Sequence, residues 1–134
     1  MIKILGIEHI GVALNNNEEL SNIFKNIFNL DCIGSEVVEE QGVKTDIFDA
    51  GNIKIELLES ISKDSPIHKY ISRHGKGMHH IALIVSDLQS AIEYLLQKNI
   101  KMIDSKPKVG VEGYKIAFIH PQSTPGLLIE LCEK

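Results

Sequence analysis

Two histidines and two glutamates stand out because similar stretches of this chain carry them twice. The sequence IEHIGVAL at 7–14 is echoed by MHHIALIV at 78–85, which aligns His9 with His80, 71 residues later. Glu56 and Glu130 lie in two later apolar stretches, 74 residues apart. Two imidazoles and two carboxylates form a mixed N/O ligand set, which suits Co²⁺, Mn²⁺, Ni²⁺, Fe²⁺ or Zn²⁺ and lacks the thiolates of a structural zinc site. The repeat therefore predicts one metal site, assembled from two similar halves.

Four protein ligands leave two positions free on an octahedral ion. A substrate that fills both positions would chelate the metal, which favours a catalytic role over a structural one. The alternative is that each residue is an ordinary strand residue facing water, as most isolated histidines and glutamates are. In that case the second face of the sheet would be solvated.

Strand periodicity places each of these four polar residues on the face of its strand that points away from the helices. In the first stretch Ile10, Val12 and Leu14 alternate onto the helix-facing side, which leaves His9 and Gly11 opposite. The same alternation separates the other three polar residues from the apolar side chains beside them in sequence. His79 then points away from His80 and is interpreted as a packed or supporting histidine.

Two amphipathic helices follow the repeated strands, at about residues 18–28 and 87–98. Each has apolar residues at i, i+3, i+4, i+7 and i+8, which form one helical face. Capping pairs are predicted at the start of the helices, namely Asn16 with Glu19 and Ser86 with Gln89. Just after the helices, Asn29 and Asn99 are predicted to have a left-handed backbone conformation.

Further strand patterns follow each helix, so each half has the order β-α-β-β-β. The patterns cover residues 33–38, 45–50 and 53–58, and then 102–104, 115–120 and 127–132. A short helix capped by Ser65 is predicted in the linker, and a loop at 105–114. The fold class is therefore α+β, with two βαβββ modules forming a cupped mixed sheet around the metal site and helices on the outer face. We expect a single domain over 1–134, with module one at about 5–58, the linker at 59–77 and module two at 78–134.

Composition excludes several classes of function. The chain has 134 residues, 43% of them hydrophobic, and a net charge of −4, which argues against non-specific nucleic-acid binding. No apolar run is long enough for a membrane span, and the first residues do not form a secretory signal. We therefore expect a cytoplasmic protein, in which Cys32 and Cys132 are free thiols.

Several stretches together resemble the vicinal oxygen chelate superfamily (the glyoxalase and bleomycin-resistance proteins), whose members pair two βαβββ modules around a divalent metal. The resemblance covers nearly the whole chain and is greatest to the methylmalonyl-CoA epimerases. The matching stretches are HIGVA at 9–13, EQGV at 40–43, KIELLE at 54–59, SPI at 65–67, GMHHIA at 77–82, FIHP at 118–121 and GLLIEL at 126–131. The resemblance implies that His9, Glu56, His80 and Glu130 bind the metal.

The resemblance also implies an activity, namely inversion of the α-carbon of methylmalonyl-CoA through an enolate. Such an epimerase needs an acid/base group on each side of the carbon. Glu130 is the candidate for one side and Glu40 for the other. Some family members carry a glutamate shortly after the EQGV stretch, where this chain has Thr45, and Asp46 is a further candidate.

Two residues are candidates for substrate binding, because His120 and Ser123 could orient the substrate carboxylate. The implied cofactor is a divalent metal (Co, Mn, Ni or Zn), and the implied partners are an acyl-CoA substrate and a second copy of the chain in a homodimer. No nucleic-acid or membrane partner is expected.

Two other functions stay open at this point. Glyoxalase I uses a similar His/Glu/His/Glu set, but glutathione carboxylates usually meet arginines, and this chain has only Arg73, in the linker. A metal-free small-molecule-binding protein of the same superfamily is the third interpretation.

Overall fold

The computed structural model describes all 134 residues, Met1–Lys134, which form two compact units. We call His9–His79 the N-terminal unit, and His80–Lys134 together with Met1–Glu8 the C-terminal unit. The strands are β1 (Ile4–Leu14), β2 (Asp31–Val38), β3 (Val43–Asp49), β4 (Lys54–Ser60), β5 (Gly77–Val85), β6 (Lys108–Val109), β7 (Lys115–Phe118) and β8 (Ile129–Glu133). The helices are α1 (Glu18–Asn26), α2 (Pro66–His74) and α3 (Leu88–Gln97). None of these helices has the length and apolar character needed to cross a bilayer.

The two units share one strand topology. In the N-terminal unit the strand order is β2-β3-β4-β1, with β1 and β4 parallel and the β2–β3–β4 meander antiparallel. In the C-terminal unit the order is β6-β7-β8-β5, with β5 and β8 parallel and the remaining pairs antiparallel. A mixed α+β architecture with a repeated β-α-β-β-β order, as predicted from the sequence, is therefore confirmed.

Helix α1 covers one face of the N-terminal sheet. Its Phe24 meets Phe48 of β3 edge-to-face, with ring centroids 5.2 Å apart, and Val12, Leu14 and Leu57 complete this apolar cluster. The prediction that Val12 and Leu14 face the first helix is thus confirmed.

Helix α2 covers part of the opposite face of the same sheet. Its Ile67 is buried against Ala13, Val43 and Leu58. Ser65 caps α2 by accepting hydrogen bonds from the Ile67 and His68 backbone N–H groups, as the sequence predicted. The sequence predicted helices on the outer face only, so the position of α2 on this face is a difference from that prediction.

The core of the C-terminal unit forms between α3 and its sheet. Leu88, Ala91 and Ile92 of α3 are buried with Val85 and Leu131 of the strands. The alternation predicted for β5 and β8 is therefore confirmed, and His80 and Glu130 lie on the face opposite this core.

Both predicted helix caps are wrong by one residue. Asn17, not Asn16, is the N-cap of α1, and its side chain makes no capping hydrogen bond. Asp87, not Ser86, caps α3 and accepts from the Ser90 backbone N–H at 3.0 Å. The hydrogen bonds from Ser90 lower the pKa of the Asp87 carboxyl.

Some of the other local predictions are confirmed, and others are wrong. Asn29 and Asn99 have positive φ, at 55° and 62°, and both cysteines are free, as predicted. The strand predicted at 102–104 is reduced to a single bridge between Met102 and Ile119. The predicted loop at 105–114 contains the short strand β6, and β8 begins only at Ile129.

Candidate metal centre

The N-terminal unit brings His9 and Glu56 together on neighbouring strands. β1 and β4 run parallel, with His9 opposite Lys54 and Gly11 opposite Glu56. His9 Nδ1 lies 3.2 Å from Glu56 Oε2, and the two residues are 5% and 3% exposed. Paired residues of adjacent strands point to the same face, so the imidazole and the carboxylate meet above the strand pair.

The C-terminal unit builds the equivalent pair on β5 and β8. These strands are also parallel, and Ala82 lies opposite Glu130. His80 Nε2 lies 3.6 Å from Glu130 Oε1, and both residues are buried. The Phe118 ring packs edge-on against the imidazole, with centroids 5.5 Å apart. Phe118 was not among the residues predicted for the site, and its place opposite Glu130 in the β7/β8 pairing brings it next to the site.

The chemistry of both pairs suits a divalent cation. Each pair offers one imidazole nitrogen and one carboxylate oxygen, which are ligands that Zn²⁺, Co²⁺, Mn²⁺ and Ni²⁺ accept. Two ligands of one such ion, each bound at about 2.1 Å, lie about 3 Å apart, close to the separations within both pairs. All four residues belong to groups of histidines and carboxylates that could hold a metal ion.

Burial argues against the alternative in which these are ordinary surface residues. The four residues are at most 5% exposed, whereas carboxylates are rarely buried without a partner of opposite charge, a metal or hydrogen bonds. A solvated second sheet face is therefore excluded for these positions.

The candidates for the second acid/base group lie in different places. Glu40 is exposed on a short 3₁₀ turn (Glu39–Gln41) that connects β2 to β3. Asp46 lies on the α1 face of the sheet, where it accepts hydrogen bonds from Ser35 Oγ at 2.6 Å and from Asn17 Nδ2 at 2.9 Å. Asp46 is therefore on the face opposite Glu56, away from the candidate metal ligands.

His120 and Ser123 organise the turn that precedes β8. His120 Nδ1 accepts from the Gln122 backbone N–H at 3.0 Å, and Ser123 Oγ accepts from the Lys101 N–H at 2.8 Å. Both side chains therefore stabilise this turn, and both residues remain partly exposed.

His79 packs against the aromatic ring of Tyr70, with ring centroids 4.6 Å apart. Burial lowers its pKa from 6.5 to about 4, so His79 is neutral at physiological pH. The interpretation of His79 as a packed histidine is therefore confirmed. Its neighbours His68 and His74 lie on α2 and are part-buried and exposed, respectively.

Comparison with known proteins shows the family to which the chain belongs. The family model for the Glyoxalase/Bleomycin resistance protein/Dioxygenase superfamily matches residues 8–118. The uncharacterized protein YqjC of Bacillus subtilis is 39% identical over 127 residues, which cover 95% of this chain and 91% of that protein. The mitochondrial methylmalonyl-CoA epimerase of Dictyostelium discoideum is 37% identical over 129 residues, which cover 96% of this chain and 78% of that protein.

A solved structure gives the same result. A singly substituted variant of Streptomyces coelicolor methylmalonyl-CoA epimerase, in complex with 2-nitronate-propionyl-CoA, superposes with a TM-score of 0.90. The two sequences are 28% identical, and the match covers 98% of this chain and 96% of that one. The chain belongs to the glyoxalase/bleomycin resistance protein/dioxygenase superfamily and, within it, to the methylmalonyl-CoA epimerases, a family of isomerases.

Proposed function

We propose that this protein is a metal-dependent epimerase, which inverts the α-carbon of methylmalonyl-CoA. The observation that carries the proposal is the repeated buried pair, His9 with Glu56 and His80 with Glu130, at equivalent places in two units of equal topology. Each pair would offer one imidazole and one carboxylate ligand to a divalent cation (Co, Mn, Ni or Zn).

The ligand bound to one relative supports an acyl-CoA thioester as the substrate. The Streptomyces coelicolor relative is described with 2-nitronate-propionyl-CoA, whose nitronate group carries negative charge next to the thioester. Such a ligand resembles an enolate of methylmalonyl-CoA. A cation with vacant positions would act as a Lewis acid, which stabilises negative charge developing on the substrate oxygens.

The acid/base work falls to carboxylates of this chain. Inversion requires that one group removes the α-proton and that a second group delivers a proton to the other side of the carbon. We propose Glu130 for one side and a carboxylate of the β2–β3 hairpin for the other, where Glu40 is the candidate from the sequence. His120 and Ser123 are proposed to orient the substrate carboxylate from the turn before β8. A cytoplasmic homodimer remains the expected form of the enzyme.

Glyoxalase I is the second candidate, because the same ligand set would serve its chemistry. The distribution of positive charge favours the epimerase. Glutathione carries two free carboxylates that usually bind arginine, and the single arginine, Arg73, is exposed in the last turn of α2.

The test uses purified protein loaded separately with each of the four metals. Incubation with one epimer of methylmalonyl-CoA in D₂O should give the opposite epimer with deuterium at the α-carbon, measured by mass spectrometry and by chromatographic separation of the epimers. Absence of exchange and of inversion with every metal would contradict the proposal.

Variants and a second substrate separate the alternatives. Glu56→Ala should abolish inversion, and Glu93→Gln, an exposed residue on α3, should leave it unchanged. Formation of S-lactoylglutathione from the methylglyoxal–glutathione adduct would instead identify a glyoxalase. Protein that retains no metal, and in which Glu130→Ala changes nothing, would be a binding protein.

A further inference from the structure

The β2–β3 hairpin has two distinguishable faces, which its side-chain contacts identify. Ser35 Oγ donates to Asp46 Oδ1, so these two residues point to the α1 face. Gly34, the neighbour of Ser35, faces the other way, because a Cβ built on it would lie 3.5 Å from Ile47 Cδ1. Since side chains alternate along a strand, Glu36 points to the same face as Gly34.

The pairing register connects this face to the candidate metal centre. Glu36 lies opposite Thr45, and Thr45 lies opposite Leu58. Glu56 is two residues before Leu58 on β4 and shares its face. Glu36, Thr45 and Glu56 therefore lie on one face of the N-terminal sheet.

Thr45 lies between Glu36 and Leu58 in the pairing of the three strands. Thr45 is buried, but its side chain is short and has no acid/base group that titrates near neutral pH. Glu36 is one strand spacing away, about 5 Å, which is close to the reach of a glutamate side chain. It is partly exposed, so its carboxyl group can exchange protons with water.

The other two hairpin carboxylates are less well placed. Asp46 points to the α1 face. Glu40 lies beyond Val38 and Val43, the last paired residues of the hairpin, in the exposed turn.

We propose that Glu36 is the second acid/base group, whose carboxylate leans across the short side chain of Thr45 towards the substrate α-carbon. This proposal rests on the proposed epimerase function. In one direction the Glu36 carboxylate accepts the α-proton, and the C–H electron pair moves into the enolate. Delivery of a proton to the opposite side of the carbon, the role proposed above for Glu130, completes the inversion. The reverse direction exchanges these roles, and water returns both residues to their starting protonation states.

The test measures inversion and hydrogen exchange separately for each epimer. Glu36→Gln keeps the size of the side chain but removes the base. Inversion should fall by about 10²- to 10⁴-fold, the usual contribution of a general acid/base group. The epimer whose α-hydrogen faces Glu130 should still exchange this hydrogen with D₂O, now with retention of configuration. For the other epimer, the rate of exchange should fall together with the rate of inversion.

Matched variants make the result specific to position 36. Glu39→Gln, an exposed glutamate of the same hairpin, should behave as the wild type. Thr45→Glu introduced into Glu36→Gln should restore inversion, because it returns a carboxylate to the same face one strand nearer to Glu56.

Three outcomes would overturn the assignment of Glu36. The first is that Glu36→Gln inverts the substrate at the wild-type rate. The second is that Glu36→Gln loses exchange equally from both epimers and that Thr45→Glu does not restore it. The third is that Glu40→Gln, and not Glu36→Gln, shows loss of exchange from one epimer only. Failure of the wild-type protein to invert or exchange either epimer would overturn the epimerase proposal itself, which distinguishes the two results.

Discussion

Glu56 pairs with Gly11, the residue two positions after His9, in the parallel ladder of β1 and β4. The same offset recurs in the C-terminal unit, where Glu130 pairs with Ala82. A residue with little or no side chain thus stands beside each glutamate, on the same face. The space over this small residue allows the carboxylate to turn towards the imidazole of its own unit.

The equivalence of the two pairs predicts similar losses of metal affinity. Glu56→Ala and Glu130→Ala should each weaken binding of Co²⁺ by about 100-fold or more, because each removes one buried oxygen ligand, and even supporting residues contribute roughly 10- to 100-fold. The visible absorption of bound Co²⁺ and the metal content after dialysis measure this directly, without reference to activity. Glu93→Gln is the control. A variant of either glutamate that retained wild-type affinity would remove that residue from the ligand set.

A second prediction concerns Asn17, which is buried between α1 and the sheet. Its side-chain amide donates to Asp46 Oδ2 and to the Leu57 carbonyl, and its backbone N–H donates to Glu59. Asn17→Ala removes these side-chain bonds, together with a longer one to the Lys44 carbonyl at 3.5 Å, and leaves a buried carboxylate with one donor fewer. We expect a loss of about 2–3 kcal/mol in the free energy of unfolding, measured in urea.

The control for this prediction is Asn16→Ala, at an exposed neighbouring position. Asn16 accepts one local hydrogen bond from the Glu18 N–H at 2.8 Å, so its removal should cost about 1 kcal/mol or less. Equal losses in the two variants would contradict a tertiary role for Asn17.

Alternation along the strands was enough to predict which faces the four candidate ligands share. Period 2 is a local property, so the separation of His9 from Val12 and Leu14 can be read directly from the sequence. The repeat added the expectation of two equivalent pairs. The distances between imidazole and carboxylate depend on strand pairing, which no local pattern specifies.

Several of the errors share a physical cause, because a long-range contact outweighs a local preference. Asn17 has the side chain of a capping residue, but its amide bonds to Asp46 and Leu57 instead of to the helix backbone. Asp46 was a candidate base until its partners fixed the face to which it points. Glu36 was overlooked because its position opposite Thr45 is visible only in the β2/β3 register.

Gly42 makes a close approach that supports a third prediction. Its φ is +63°, and a Cβ there would lie 2.8 Å from Ser62 Cβ and 3.1 Å from Ser65 Cβ, next to the cap of α2. Gly42→Ala should lower the free energy of unfolding by about 2–3 kcal/mol, from left-handed strain and overpacking together. Gly51→Ala is the matched control, since φ is +99° there and no atom lies within 4 Å of its built Cβ. Equal losses would mean that the contact with the serines contributes nothing.

The buried imidazole of His79 supports a prediction about pH. Its pKa is about 4 in the folded protein, against 6.5 for an ordinary histidine, because burial against Tyr70 disfavours the charged form. The unfolded chain therefore binds more protons at this residue between these two values. The stability that neutral His79 contributes is fully present above about pH 6.5 and is lost as the pH falls towards 4.

The matching experiment compares urea unfolding at about pH 7 and about pH 4.5 in the presence of a chelator, so that metal release does not contribute. His79→Leu should reduce the loss of stability over this range by about 2 kcal/mol, which allows for solvent screening of a partly exposed group. His74→Asn, at an exposed position on the same helix as Tyr70, should leave the loss unchanged. If His79→Leu lost as much stability on acidification as the wild type, His79 would have the same proton affinity in the folded and unfolded chains.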